Sequence, residues 1–228
     1  MNSAYLWALT QPLADWRTKE ECTIEDVFKK KYDYYSFENE IHNMMFYKEQ
    51  QEEMINASIW VGVKIYGFKS KVFYQKTANE LYRLKCFVDK ERYKNVANIA
   101  IGCMHKRSGK QNNTTLAASL YAYFAYHVNN LVEKFKKKGY NVIMVTTDSV
   151  KIVGDYKEED NIVTIGEGLG EFKFEYKGPA KYYTSGHYEE NVIKWKGKPE
   201  YMRMGFDRCL FVENIEKEKK IYEKYAII

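Results

Sequence analysis

At 228 residues the chain is long enough to bury a substantial core, as one large domain or one domain with a protruding subdomain. Its 36 Lys and Arg against 31 Asp and Glu leave a formal charge of +5, which excludes a protein coated in basic charge but fits a local phosphate-binding groove. Four scattered cysteines exclude a disulfide framework or zinc site, and the lack of a leader or a run of about 18 apolar residues predicts a soluble protein of the reducing cytoplasm with no membrane partner.

Ala4 to Thr10 is apolar and reads as the end of a strand running into a helix, with Pro12 near a helix start. Residues 17–50 are charged and aromatic, carry Lys29, Lys30 and Lys31 in a row and show no strong period, which predicts a surface insertion. Ile59 to Ile65 alternates like a strand. One long helix is then expected from Thr77 through Met104, with Tyr74, Ala78, Leu81, Leu84, Phe87 and Val88 at three- and four-residue spacings. Lys85, Lys90, Arg92 and Lys94 are interleaved with that stripe. Lys94, Asn98 and Gly102 recur every four residues and so share one helix face. A cation, an amide and a residue without a side chain on one face suit the holding of a triphosphate and the approach of a base pair. A charge run on a helix is usually a solvated face, and that is the expectation for Lys85.

After a polar loop at 105–113, Thr114 or Thr115 is expected to cap a helix whose stripe is Leu116, Leu120, Phe124, Val128, Leu131 and Phe135. Lys136, Lys137, Lys138 and Gly139 form an ordinary helix C-terminus and need no nucleic acid to explain them. His127 borders the stripe and reads as packed. Asn141 to Val145 and Val150 to Val153 are rich in β-branched residues around the turn formers Thr146 to Ser149, which predicts a β-hairpin presenting Asp148 at its tip. The run Glu158-Glu159-Asp160 reads as a solvated turn. Gly166, Gly168 and Gly170 do not form a dinucleotide fingerprint, because Phe172 to Tyr176 alternates like a strand. Further strands are expected over 181–185, 192–196 and 201–206, then a charged helix over 213–225.

The order of these elements resembles the palm and fingers of family B DNA polymerases, in particular the protein-primed branch of phages and linear plasmids. The family's Asp-x-Asn-Ser-x-Tyr-Pro is matched from its second position by Met1-Asn2-Ser3-Ala4-Tyr5, so its leading Asp would fall one residue before the start, and Leu6 replaces Pro. Its Lys-x-x-x-Asn-Ser-x-Tyr-Gly is matched by Lys94, Asn98 and Gly102, with Ile99 and Ile101 replacing Ser and Tyr. Its Asp-Thr-Asp-Ser is matched by Thr146-Thr147-Asp148-Ser149, with Thr146 replacing the first Asp, and its Lys-x-Tyr by Lys181-Tyr182-Tyr183.

The resemblance implies an α+β fold: a polymerase palm, an antiparallel sheet backed by helices, over 1–16 and 114–206, with a helical fingers subdomain over 57–113. Residues 17–56 would be an insertion of unassigned structure and 207–228 a C-terminal helix or thumb remnant. It implies template-directed nucleotidyl transfer with two Mg2+ (or Mn2+) ions. Asp148 would ligate metal, Lys94 would hold the triphosphate with Lys90 in support and Lys85 as a weaker candidate. Asn98 and Gly102 would meet the nascent base pair, Tyr5 would gate the sugar, and Ser149, Lys181 and Tyr183 would hold the DNA. The implied partners are primer-template DNA, dNTPs, a terminal protein, and a second polypeptide supplying the missing Asp, an exonuclease and a thumb. The alternative expectation is an inactive, polymerase-derived nucleic-acid-binding accessory protein, since one carboxylate is too few for ordinary Mg2+ chemistry.

Overall fold

The structure is a computed structural model, and it describes residues 3–104, 113–146, 149–184, 187–189, 193–195 and 198–199. In chain order its principal elements begin with α1 (Ala4–Leu9), β1 (Leu13–Ala14), β2 (Glu20–Cys22), α2 (Ile24–Phe28), β3 (Tyr34–Glu38), β4 (Asn43–Tyr47) and α3 (Gln51–Ser58). They continue with β5 (Lys64–Phe68), β6 (Ser70–Lys71), α4 (Gln75–Phe87), α5 (Lys90–Met104), α6 (Thr114–Lys137), β7 (Asn141–Thr146) and β8 (Ser149–Val153). A second group of short strands follows: β9 (Lys181–Thr184), β10 (His187–Glu189), β11 (Ile193–Trp195) and β12 (Lys198–Pro199). The mixture of helices and antiparallel sheets is an α+β fold, as expected. The backbone divides into two compact units, Met1–Gly139 with Lys157–Lys173, and Tyr140–Tyr156 with Phe174–Ile228.

In the first unit α6 carries the organising stripe. Leu116, Leu120, Phe124, Val128, Leu131 and Phe135 are all buried, because spacings of three and four place them on one face. Asn113 caps the helix, its Oδ1 accepting from the Leu116 amide at 3.0 Å, and it takes the place expected of Thr114 or Thr115. The helix ends on Lys134, Lys136 and Lys137, and Gly139 follows at φ 84°, a left-handed position that glycine takes at little cost. Leu116, Leu120, Phe124 and Val128 share one core cluster with Ala4, Leu6, Leu9, Ala78 and Ile101. Ile101 is thereby explained: it faces this core and is 3 % exposed.

Residues 17–56 are ordered, and with β5 they build a four-stranded antiparallel sheet in the order β2-β5-β3-β4. Tyr35, Phe37, Phe46 and Ile65 pack on one side with Val27 of α2 and Met54 and Ala57 of α3. Tyr34 and Phe68 pack with Ala14 and Ala122, so β1 and α6 meet the same sheet. Four consecutive residues of β3, Tyr34 to Phe37, are buried, so the strand is covered on both faces and cannot show alternation. Truncating a side chain as large as Phe37 there costs about 3–5 kcal/mol.

Several expectations are corrected. The helix expected over 77–104 is two helices, because Asp89 starts a second one: its Oδ1 accepts from the Arg92 amide at 2.9 Å and its carbonyl from the Tyr93 amide at 3.2 Å. The strand expected over 59–65 begins only at Lys64, since Ile59 is the last cap of α3 and Gly62 turns the chain at φ 67°. Ala4 to Leu9 is helix, with no strand before it among the described residues, and Pro12 leads into the short strand β1. Phe172 makes an isolated bridge to Ile165 in place of a strand over 172–176. Residues 158–160 form one turn of 3-10 helix, in which Asp160 pairs with Lys138 at 3.5 Å. The elements expected over 201–206 and 213–225 lie outside the described residues. No described helix is long and apolar enough to cross a membrane.

In the second unit β7 and β8 form the expected antiparallel hairpin, closing at the pair Thr146 and Ser149. Strands β9 to β12 form a four-stranded antiparallel sheet in the order β12-β11-β10-β9, in which Lys181 stands opposite Glu189 and Tyr182 opposite Tyr188.

Candidate phosphate-binding site

Helices α4 and α5 run back on each other at Val88-Asp89, which brings Lys85 near the end of one helix beside Lys90 and Lys94 at the start of the other. Lys85 is partly buried, and its Nζ donates to the Ser3 hydroxyl at 2.5 Å, at the start of α1. The expectation of a solvated Lys85 is therefore corrected. Burial is the main cause that holds its pKa below the usual lysine value; Cys86 opposes it, and Lys94, Lys90 and Lys173 each lower it by less than Cys86 raises it. None of these four lysines has an ion-pair partner among the described residues.

Lys173 reaches the cluster on a strap, 157–173, that crosses α1 and α4. The Tyr82 hydroxyl of α4, pushed up to about 12 mainly by burial and then by its bond with Cys86, stays protonated and donates to the Glu167 carbonyl. Gly170 sits on Trp7 of α1 at φ 84°, and a Cβ there would stand 2.2 Å from the indole Cδ1. The Glu171 carboxylate accepts from the Gly168 amide at 2.6 Å, and a Cβ at Gly166 or Gly168 would collide with it. The glycine run is thus a device for wrapping Glu171 and closing on Trp7.

Tyr5 is partly buried, its ring 5.9 Å from that of Tyr121 and 6.1 Å from that of Phe124. Lys94, Asn98 and Gly102 are exposed on α5, and a Cβ at Gly102 would meet nothing within 4 Å. Packing among the described residues therefore does not require glycine at 102. The structure brings Tyr5, Lys85, Lys90, Lys94, Asn98 and Gly102 into the first unit, while Ser149 lies in β8 and Lys181 and Tyr183 in β9 of the second. Asp148 lies outside the described residues. Among those described, no three His, Cys, Asp or Glu side chains gather as a metal site would require. The described residues therefore do not by themselves fit the metal that the resemblance implies.

Sequence reasoning missed Lys173, because nothing in local spacing connects it with Lys85. A separate cleft of about 330 Å3 is lined by residues that include Trp7, His127, Lys134 and Glu171. It contains none of the four lysines. His127 packs 4.5 Å from the Trp7 ring, and burial, then Lys134, keeps its pKa below the usual histidine value, in line with the expectation of a packed residue. No family model, no curated protein and no solved structure matches this chain.

Proposed function

We propose that this chain is the palm and fingers portion of a DNA-directed DNA polymerase of the family B kind, and that its lysine cluster receives the triphosphate of an incoming dNTP. The observation that carries this reading is the gathering of Lys90, Lys94 and Lys173 near the partly buried Lys85, whose protonated form their charges disfavour. A polyanion relieves that repulsion. A triphosphate does so at the place where the motif order puts the nucleotide.

Phosphoryl transfer leaves a protein little covalent chemistry to perform, so positioning and charge stabilisation supply most of the rate. The lysines hold the β- and γ-phosphates and offset the charge that develops on the leaving pyrophosphate. Asn98 and the open space at Gly102 admit the nascent base pair, Tyr5 lies under the sugar, and Ser149, Lys181 and Tyr183 hold the DNA strands. Asp148 would hold the Mg2+ that the resemblance implies, which would supply charge neutralisation at the phosphates. Thr146, where the resemblance calls for a carboxylate, favours the second reading, a non-catalytic accessory protein that keeps the nucleic-acid groove.

Primer extension on a primed template with dNTPs and Mg2+ or Mn2+ tests the proposal. Template-dependent extension that Lys94→Ala and Asp148→Ala each abolish supports the polymerase, while retained primer-template binding without extension supports the accessory protein.

A further inference from the structure

Phe87 closes α4 at the tip of the helical hairpin with its side chain 82 % exposed, and the adjoining Val88 is 64 % exposed. Among the described residues nothing covers them, which leaves an aromatic and an aliphatic side chain open at the tip. The charge around the tip narrows what it could meet. Between Arg83 and Lys94 the sequence holds five cations, Arg83, Lys85, Lys90, Arg92 and Lys94, against the two acids Asp89 and Glu91, a local excess of three (5 − 2). Arg83 lies four residues before Phe87 on α4 and so shares its face. Its guanidinium forks onto the Glu80 carboxylate, Nε to Oε2 at 2.9 Å and Nη2 to Oε1 at 2.7 Å, an exposed pair for which a phosphate competes. The Arg92 guanidinium stands over the Tyr93 ring at 5.9 Å, and Asp89 is occupied in capping α5.

Aromatics and arginine also suit the centre of a protein interface, but lysine is depleted there, and three of the five cations here are lysines. An exposed aromatic among lysines and arginines is the combination that holds single-stranded nucleic acid, with a ring to stack on a base and cations for the flanking phosphates. We infer that the α4–α5 tip is a contact for single-stranded nucleic acid, with Phe87 stacked on an unpaired base and Arg83 and Arg92 against the backbone. The inference extends the proposed function, because it supplies a grip on an unpaired strand, but it stands on its own residues.

The test is fluorescence anisotropy of a labelled single-stranded oligothymidine with the whole chain, without nucleotide or metal, at several salt concentrations. Phe87→Ala is expected to weaken binding roughly 5- to 150-fold while Phe87→Tyr retains it. Arg92→Gln is expected to flatten the salt dependence by about 0.7 in log-log slope, one phosphate contact on a single strand. A blunt duplex, with no free base at its centre, competes poorly. Equal binding by native protein and Phe87→Ala, equal competition by the duplex, or no oligonucleotide binding at low salt overturns the inference. Because Phe87 is exposed, the variant keeps the native melting temperature, so lost affinity is not lost fold. Phe87-dependent binding without any dNTP binding would sink the polymerase reading and leave this contact standing; dNTP binding with an inert Phe87 does the reverse.

Discussion

Lys85 donates from Nζ to the Ser3 hydroxyl at 2.5 Å, and that bond ties the end of α4 to the start of α1. The ammonium is thereby held, partly buried, against three other lysines, at the cost of a lowered pKa. Because its folded-state pKa lies below the unfolded one, the folded chain without ligand carries this penalty in full at low pH. The penalty is relieved as pH rises through the depressed value toward the ordinary lysine value of 10.5. Anion binding has the opposite sign, since only the protonated amine attracts phosphate.

Gly170→Ala should destabilise the first unit by about 2 kcal/mol or more, because a left-handed backbone and a collision with Trp7 coincide at one residue. The strap bearing Lys173 is held at that point, so triphosphate affinity should fall as well. Thermal melting and nucleotide titration of the same variant check both effects. An unchanged melting temperature would contradict the packing of Gly170 on Trp7.

Ser119→Ala should cost about 1–3 kcal/mol in urea denaturation. The Ser119 hydroxyl, fully buried in α6, accepts from the Ala14 amide at 3.1 Å and donates to the Leu116 carbonyl at 2.8 Å. Alanine leaves the Ala14 amide without that acceptor in the interior, where β1 meets α6. A change under about 0.5 kcal/mol would show that the amide finds another partner.

His127→Phe should flatten the acid side of the stability profile. The native imidazole is held neutral by burial against Trp7 and by Lys134, so its folded pKa is below 6.5. Its contribution is fully present above pH 6.5 and is lost as pH falls from there through the folded value. Denaturation midpoints measured from pH 7.5 down to 5 decide the matter, and parallel profiles for the two proteins would exclude His127 as the titrating group.

Some of this was legible in the sequence. The stripe of α6 was, because one buried face on a long helix leaves a clean period, and so was the hairpin flanking Asp148, where β-branched residues bracket a turn. The break between α4 and α5 was hidden, since apolar spacing runs on through Val88; Asp89 three residues before Arg92 was the available capping signal. The sheet within 17–68 was hidden for a physical reason, as burial of β3 on both faces erases alternation. At the candidate site Lys94, Asn98 and Gly102 could be read from spacing on one helix. Lys85 and Lys173 could not, because their placement depends on Ser3, Tyr82 and Trp7, contributed by α1 and α4, and on a strap from far along the chain.

The most direct test of the lysine cluster is titration of the native chain and of a Lys85→Ala, Lys94→Ala double variant with a fluorescent dATP analogue and with its nucleoside, across pH 7 to 10. The native protein is expected to bind the triphosphate far more tightly than the nucleoside, with a preference that weakens as pH rises and Lys85 loses its proton. The double variant should bind about ten-fold or more weakly. Equal affinity for triphosphate and nucleoside, or a double variant that binds as the native chain does, would contradict the assignment of these lysines to phosphate.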